Sequence, residues 1–304
     1  MTNKLKGHVA ILTANIIFGL NISVTKALLS HWMTPLGLMA SRVLGAVLIF
    51  WLISLLVPKE KVVPRDMWLI ALGGITGFVI SQYCTASSLT YTTPVYFSLI
   101  MALTPVVVML LSALFLKEPI SRQKVFGVGL GVAGAALLML NATTDAAAGR
   151  NNLIGILLAI GSILAWAVYL IITRTISQKY SIVTQMKWTF LFSGIVLLPL
   201  GASEFSQQTL YSAAWGWEGI AQLAFVLLLA TIMGYFLMPF AMKYLRATTV
   251  SVYMNFQPVV ASVVAIGVGQ DVFSWDKPLS ALLVLTGAFV VANSPAKGEG
   301  LKKD

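Results

Sequence analysis

Long apolar runs, separated by short polar segments, recur along the whole chain. Each run is about 20 residues long, the length that an α-helix needs to cross the hydrocarbon core of a bilayer. The pattern predicts an all-α integral membrane protein with ten transmembrane helices, at about 7–29, 35–57, 67–90, 94–116, 121–140, 153–173, 182–201, 217–240, 247–268 and 278–293.

Composition excludes a separate soluble domain. The chain has 304 residues, of which 58% are hydrophobic and 10% are charged, and its mean hydropathy is +0.89. A net charge of +10 would indicate nucleic-acid binding in a soluble protein, but here the basic residues lie in short loops and indicate topology instead. The single cysteine, Cys84, excludes an intrachain disulfide.

An internal repeat relates the two halves of the chain. The segment from Tyr91 to Leu140 aligns without a gap, 153 positions later, with the segment that starts at Tyr244. Matched pairs include Tyr91/Tyr244, Ser98/Ser251, Met101/Met254, Pro105/Pro258, Ser121/Ser274, Lys124/Lys277 and Gly134/Gly287, and Glu118 faces Asp271. We therefore predict a duplication, with one five-helix repeat at 1–146 and a second at 147–304. The first helices of the halves match at an offset of 148, which pairs Phe18 with Trp166.

The distribution of Lys and Arg predicts the orientation in the membrane. With a cytoplasmic N-terminus, fifteen basic residues lie on the cytoplasmic side and two, Arg150 and Lys277, on the other. Both termini are then cytoplasmic, in the plasma (inner) membrane of the cell. Because each half has an odd number of helices, the second half must be inverted relative to the first, with a pseudo-two-fold axis in the membrane plane.

Motifs for catalysis are absent from the sequence. It has no HExxH, no Gly-x-Ser-x-Gly, no phosphate-binding lysine loop and no paired intramembrane carboxylates, so we expect neither an enzyme nor a cofactor or metal. All ten carboxylates fall in termini, loops or helix ends, which argues against coupling to protons through an Asp or Glu relay.

Three cations lie inside the predicted spans, where a charge costs roughly 2.5–3.5 kcal/mol. For Lys26 and Arg42 two roles stay open, namely structural anchoring and contact with a substrate carboxylate or another anion. Lys187 lies nearer to a span end and is predicted to extend its ammonium toward the interface.

Polar and aromatic residues at helical spacing supply the candidate binding site. Ser162, Trp166, Tyr169 and Thr173 share one face of the sixth helix, and Gly73, Gly77, Cys84 and Ser88 form a small-residue face on the third. The substrate-binding candidates are Asn15, Lys26, Arg42, Tyr83, Tyr96, Trp166, Tyr169, Tyr235, Tyr253 and Asn255. The hinge or gating candidates are Pro105, Pro258, Gly19, Glu118 and Asp271. The two prolines are expected to kink the fourth and ninth helices at equivalent points.

Several of these stretches resemble a known family. The runs ANIIFGLNISVTKAL (14–28), ALTPVVVMLLSALFLKEPIS (102–121) and YMNFQPVVASVVAIGVGQD (253–271) are similar to the EamA-type branch of the drug/metabolite transporter superfamily, and in particular to the YddG-type amino-acid exporters. The chain departs from the common pattern at Phe18 and Asp271. The resemblance implies ten helices around a central cavity, alternating access, and transport of small metabolites, often outward.

The sequence thus predicts a carrier of small polar metabolites, with amino acids or related compounds as its substrates. Its partners are a small-molecule substrate and the lipid bilayer, with no nucleic acid. Two alternatives remain: efflux of amphipathic drugs or toxic compounds, which intramembrane carboxylates would have favoured, and a non-transporting membrane scaffold. Substrate identity, net direction, ion coupling and oligomeric state are not determined by the sequence.

Overall fold

The structure is a computed structural model, and it describes residues 3–91, 100–101, 103–140, 152–212, 216–267 and 275–293. These residues form helices joined by short connections. In chain order the helices are α1 (Asn3–His31), α2 (Pro35–Ser54), α3 (Pro64–Tyr91), α4 (Thr104–Phe115), α5 (Arg122–Leu140), α6 (Asn152–Ile176), α7 (Ile182–Phe205), α8 (Trp217–Tyr244), α9 (Ala247–Tyr253), α10 (Phe256–Gly267) and α11 (Asp276–Ala292).

Six of these helices are long and apolar enough to cross a membrane, by length and composition: α1, α2, α3, α6, α7 and α8. The segments Thr104–Phe115 and Pro278–Val291 are shorter apolar helices. Helix starts follow local rules, because the Thr34 hydroxyl accepts a hydrogen bond from the Gly37 N–H and Pro35 occupies the first turn of α2. Ser181 caps α7 in the same way through the Thr184 N–H.

In the described residues the fourth and ninth predicted spans are interrupted beside their prolines, as predicted, but each interruption is a break between helices and not a kink within one helix. The ninth span is divided into α9 and α10 by a turn at Met254 and Asn255, so Pro258 lies in the first turn of α10. Pro105 likewise lies in the first turn of α4, after a turn at Leu103. A proline lacks the N–H that would extend a helix from the preceding turn, whereas it is well tolerated at a helix start.

Helices α3 and α8 each contain a π-helical segment, which the sequence did not reveal. The segments are Ile75–Ile80 in α3 and Phe225–Met233 in α8. Their last residues are 153 positions apart, which is the spacing of the repeat. A π-turn holds one extra residue, so it rotates the face that the rest of the helix presents to its neighbours.

Each half packs against the other through antiparallel helix pairs. Helix α1 packs on α8, α2 on α7, α3 on α6, α4 on α9, and α5 on α11. In the α2–α7 pair, Gly194 contacts Val47 and Gly201 contacts Ala40, so residue numbers rise along one helix as they fall along the other and the two helices are antiparallel. The main apolar core lies where α1, α2, α6, α7 and α8 meet.

The small-residue face of α3 lies against α6, as its sequence predicts. Gly73 contacts Ile172, and the Ser88 hydroxyl donates a hydrogen bond to the Gly155 carbonyl at 2.8 Å. At Gly77 a Cβ would lie 2.3 Å from the Cγ atom of Tyr169, at the root of that ring. Glycine is therefore required here for the helices to approach closely.

We expect Gly77→Ala to lower thermal stability, because the ring of Tyr169 would have to move together with its helix. Overpacking of this kind costs about 1–3 kcal/mol. Gly129→Ala is the matched control, since nothing lies within 4 Å of a Cβ at that position of α5. Thermal unfolding of the two purified variants in detergent measures the difference. Equal melting temperatures would contradict the close approach of α3 and α6.

Candidate functional site

Arg42 lies at the centre of the bundle and is 2% exposed. From α2 its Nε donates a hydrogen bond to the Thr231 hydroxyl at 2.8 Å, and its Nη1 donates to the Gln82 side-chain oxygen at 3.3 Å. The guanidinium lies over the Phe78 ring, 5.1 Å from the ring centroid. Among the described residues, the two ion pairs are Lys124–Glu118 and Lys179–Asp66, so Arg42 has no acidic partner there.

The π-helical segments of α3 and α8 supply the surroundings of Arg42. Phe78 and Thr231 lie within the two segments, and Gln82 and Tyr235 follow them. Phe78 and Thr231 are 153 positions apart, and so are Gln82 and Tyr235. Phe78 and Thr231, which are one repeat spacing apart in the sequence, thus both contact the Arg42 guanidinium. The Thr231 hydroxyl also donates a hydrogen bond to the carbonyl of Val226, which lies five residues earlier in the same π-helical segment.

Aromatic rings surround Tyr235, which is 1% exposed. Its ring centroid lies 5.5 Å from those of Phe78 and Phe190 and 6.0 Å from that of Trp166. Phe18, at 6.2 Å, and Tyr169, at 6.1 Å, complete the group. We call these six residues, Phe18, Phe78, Trp166, Tyr169, Phe190 and Tyr235, the aromatic cluster. They come from five helices, so movement of any one helix disturbs the cluster.

Two buried hydroxyl groups on α6, Tyr169 Oη and Thr173 Oγ1, lie one helical turn apart and interact with each other. Neither has a hydrogen-bond partner on another helix in the described part of the chain. Tyr235 Oη, by contrast, donates to the Gly77 carbonyl at 3.3 Å. Two hydroxyls that interact only with each other leave one O–H donor without an acceptor, and buried donors of this kind are rare where no ligand or conformational change uses them.

The turn between α9 and α10 interrupts the regular backbone hydrogen bonding of this span. Pro258 cannot donate to the Met254 carbonyl, which instead accepts the Gln257 N–H at 3.0 Å. At the equivalent point of the first half, the Thr104 hydroxyl donates to the Met101 carbonyl at 2.6 Å. Trp166 Nε1 contacts Met254 Sδ at 3.2 Å, so the aromatic cluster adjoins this turn.

Asparagine and glutamine side chains line the same turn. Asn15, which is fully buried, donates to the Ile11 carbonyl and accepts a hydrogen bond from Gln257 Nε2 at 2.8 Å. Asn255 is 1% exposed, and its Nδ2 has no hydrogen-bond partner among the described residues. A buried amide donor without an acceptor favours a ligand that carries one.

Gly19 and His8 hold α1 against this region. A Cβ on Gly19 would lie 2.8 Å from Val260 Cβ and 2.9 Å from the Gln257 carbonyl oxygen, so no side chain fits there. His8 Nδ1 is 2.9 Å from the Tyr253 hydroxyl, which fixes the end of α9 to the first turns of α1.

Glu118 joins the two halves at one end of the bundle. Its carboxylate contacts Lys124 Nζ at 3.3 Å and accepts hydrogen bonds from the Ala247 N–H and the Thr248 hydroxyl, at the start of α9. Lys117, with a φ of 53°, turns the chain so that the carboxylate can reach α9. The basic partner of Glu118 is thus Lys124 in the first turn of α5.

The other candidates are not brought to Arg42 by any described contact. Lys26 and Tyr83 are exposed, and Tyr83 exposes 42% of its surface. Tyr96 and Asp271 lie outside the described residues, and so does the side chain of Pro258. Their roles remain predictions.

Sequence reasoning missed four groups of the site: Phe78, Gln82, Thr231 and Gln257. The spacing of 153 pairs Phe78 with Thr231 and Gln82 with Tyr235, but it gave no signal for them, because no residue in 76–90 is identical to the residue 153 positions later. The spacing of 153 could not have indicated Gln257 either, because its hydrogen-bond partner Asn15 lies in α1, which aligns with α6 at an offset of 148.

Comparison with known proteins agrees with this architecture. Residues 5–140 and 153–293 match the EamA-like transporter family. The chain belongs to the EamA-like transporter family. It is therefore a multi-pass membrane protein whose activity is transport and not catalysis.

Relatives of this EamA-like protein are likewise described as transporters. The uncharacterized transporter YyaM of Bacillus subtilis (strain 168) is 23% identical over 205 residues, which are 67% of this chain and 66% of YyaM. The uncharacterized transporter YvbV of the same organism is 24% identical over 286 residues, 93% of this chain and 90% of YvbV. These names give no substrate.

A crystal structure with the same fold supports the helix arrangement of this EamA-like protein. It aligns with a TM-score of 0.74 at 18% sequence identity, over 95% of each chain. At this identity the likeness establishes the fold alone.

Proposed function

We propose that this EamA-like protein carries small polar metabolites with a carboxylate group, amino acids or related compounds, by alternating access. The observation that carries the proposal is Arg42, a buried cation without an acidic partner among the described residues. A cation at this depth needs a counter-charge or an extensive set of acceptors. A substrate carboxylate would supply the first, and it would replace the single contacts to Gln82 and Thr231 by a bidentate one.

The surroundings of Arg42 suit an amphipathic molecule rather than an inorganic ion. The aromatic cluster presents ring faces and edges beside the guanidinium, and Asn255 adds an amide donor without an acceptor in the described part of the chain. Binding sites of this kind are mostly apolar with a few polar groups that fix orientation. The carboxylate then binds at Arg42 and the remainder of the substrate among the rings.

Ten spans arranged as two inverted repeats are part of the proposal. Helices α2 and α7 hold the same position in their halves, and so do α5 and α11. Each pair is antiparallel, which is what a two-fold axis in the membrane plane requires. The set of helix pairs also has this symmetry. When each helix is replaced by its counterpart in the other half, the α1–α8 pair becomes the α6–α3 pair, and each of the other three pairs becomes itself.

Two glycine contacts in the α5–α11 pair support the same axis at residue level. A Cβ on Gly127 would lie 2.9 Å from the Gly287 carbonyl oxygen, and one on Gly134 would lie 2.8 Å from the Ser280 carbonyl oxygen. Gly134 and Gly287 are 153 positions apart, and so are Gly127 and Ser280. Exchanging each residue of the Gly127–Gly287 contact for its counterpart 153 positions away gives the Gly134–Ser280 contact.

Alternating access requires elements that can change shape around the site. In the described conformation Arg42, Trp166, Tyr169 and Tyr235 are all buried, so a substrate can reach them only after helices move. The π-helical segments and the α9–α10 turn are positioned to permit this movement, because they lack part of the regular hydrogen-bond ladder. Glu118 closes one end by tying α9 to the α4–α5 turn.

The proposed function is tested by transport in liposomes. The purified protein is screened by thermal shift against amino acids and related metabolites, and the compounds that stabilise it are then tested for uptake into proteoliposomes. We expect saturable uptake of carboxylate-bearing compounds, competition among them, and none in protein-free liposomes. Transport of lipophilic cations without any carboxylate-bearing substrate would support drug efflux instead, and no transport at all would support a scaffold.

Orientation in the membrane follows from the basic loops and is tested with single cysteines in a Cys84→Ser background. Lys59→Cys, in the α2–α3 connection, is expected to resist an impermeant thiol reagent added outside cells. Gln207→Cys, in the α7–α8 connection, should react, and both positions are exposed in the structure. After cell lysis Lys59→Cys should react as well, which controls for its accessibility. Labelling of Lys59→Cys in intact cells would reverse the orientation and place the termini outside.

A further inference from the structure

A second candidate site lies on the outer surface of the α2–α7 pair, away from Arg42. Lys187 Nζ is 5.3 Å from the centroid of the Trp51 ring and 5.7 Å from that of the Trp188 ring. The two indoles contact each other edge to face at 5.6 Å, and Phe192 stacks on Trp188 at 6.1 Å. We call Lys187, Trp51 and Trp188 the tryptophan–lysine cluster.

The cluster lies near the ends of two helices that are long and apolar enough to cross a membrane. Lys187 is the sixth residue of α7, so it is roughly 8 Å along the helix from its start at 1.5 Å per residue. Trp51 is one turn before the last residue of α2. Tryptophan is enriched at this depth, near the lipid headgroups. The α2–α3 connection at the same end carries the exposed cations Lys59 and Lys61, and the first turn of α3 carries the exposed Arg65.

No acidic side chain in the described part of the chain neutralises Lys187. The acidic residues beside the start of α7 are both occupied, because Asp66 binds Lys179 and Tyr180 and Glu60 accepts hydrogen bonds from the Ser181 N–H. Burial favours a higher pKa for Glu60, but the hydrogen bonds from Ser181 and Thr184 outweigh it and hold this pKa below its ordinary value. Glu60 is thus an ionised carboxylate whose charge Ser181 already binds.

Hydrogen-bond donors of the cluster also lack acceptors among the described residues. No hydrogen bond from Lys187 Nζ, or from the indole N–H of Trp51 or Trp188, ends on a described residue. A cation held between two aromatic rings at the headgroup level, with further N–H donors beside it, matches a phosphodiester in charge and in hydrogen-bonding capacity. The aliphatic stem of Lys187 and the indole rings provide the apolar surface that acyl chains would cover.

We propose that the tryptophan–lysine cluster binds the headgroup of an anionic phospholipid. The lipid phosphate contacts the Lys187 ammonium, and its acyl chains lie along the exposed surface of α2 and α7. This lipid site is separate from the proposed substrate site at Arg42, so a result against one of the two proposals does not count against the other.

Native mass spectrometry of the detergent-solubilised protein tests the proposal. We expect phosphatidylglycerol to form more one-lipid complex than phosphatidylcholine of the same chain length. Lys187→Gln should weaken phosphatidylglycerol binding about tenfold, the usual effect of one lost hydrogen bond to a charged group, and Lys187→Arg should restore it. Lys59→Gln, which removes an exposed cation of the α2–α3 connection at the same end, is the matched control and should bind like the wild type.

Two further measurements separate the possible outcomes. Glycerol phosphate and inorganic phosphate should not compete with the lipid if the acyl chains are part of the ligand, and competition would mean a soluble-anion site. Equal melting temperatures of Lys187→Gln and Lys59→Gln in lipid-free detergent would show that both fold. Equal binding of both lipids, or equal binding by the Lys187→Gln and Lys59→Gln proteins, would overturn the proposal.

Discussion

Replacing Arg42 with methionine is expected to abolish transport while leaving the protein at least as stable as the wild type. The guanidinium is buried without a carboxylate in the described part of the chain, and Thr231 keeps its own hydrogen bond to the Val226 carbonyl without it. Exchanging a buried charge for an apolar side chain of similar volume is often neutral or stabilising by about 1–4 kcal/mol. An arginine retained at that cost has a role other than stability.

The loss of transport should be large, because a desolvated contact between charges is removed. Truncating one partner of such a contact costs about 2–5 kcal/mol, or at least about thirtyfold in affinity. Uptake of carboxylate-bearing substrates into proteoliposomes and thermal unfolding are measured on the same preparations. A lower melting temperature with unchanged substrate preference would instead assign Arg42 to anchoring α2.

Arg42→Lys refines this test, because lysine keeps the charge but not the planar fork. We expect a folded protein with weak transport. Arg174→Lys is the matched control, since Arg174 donates to the Met242 carbonyl at the end of α8 and does not contact the aromatic cluster through any described interaction. Full transport by Arg42→Lys would show that charge alone suffices.

Helix positions were predictable because long apolar runs define them. The predicted spans 35–57 and 182–201 correspond to Pro35–Ser54 and Ile182–Phe205, and the differences at the ends come from capping residues and turns. Helix faces were predictable wherever the helix is regular. Trp166 and Tyr169 on α6 share a buried face, as the 3.6-residue period requires.

Irregular backbone explains what the sequence could not show. At 100° per residue the pattern of α3 favoured Tyr83, but the π-helical segment Ile75–Ile80 precedes it, so the rotation per residue of a regular α-helix does not hold across that segment. The residue that reaches Arg42 is Gln82, one position earlier. The prolines at the starts of α4 and α10 were visible in the sequence, but the length of each interruption was not, because it depends on how Thr104 and Gln257 satisfy the freed carbonyls.

Glu118→Gln is expected to lower stability by about 3 kcal/mol, as the removal of one partner from a buried ion pair does. The Lys124 side chain is 1% exposed and that of Glu118 is 10% exposed, so the ammonium of Lys124 would remain buried without a counter-charge. The hydrogen bonds to Ala247 and Thr248 would also be weakened, which loosens α9 from the α4–α5 turn. Glu218→Gln is the matched control, because Glu218 is exposed and its substitution should change stability little.

A double substitution separates the ion pair from the contact between the halves. Lys124→Met in the Glu118→Gln background removes the unpaired ammonium and should recover most of the lost stability, as thermal unfolding would show. Transport should stay altered in the double variant, because its carboxamide holds α9 less firmly than the carboxylate did and one end of the bundle then opens more readily. If the double variant recovers stability and transport together, Glu118 serves only to neutralise Lys124. If it recovers neither, the contact of Glu118 with α9 is what stabilises the fold.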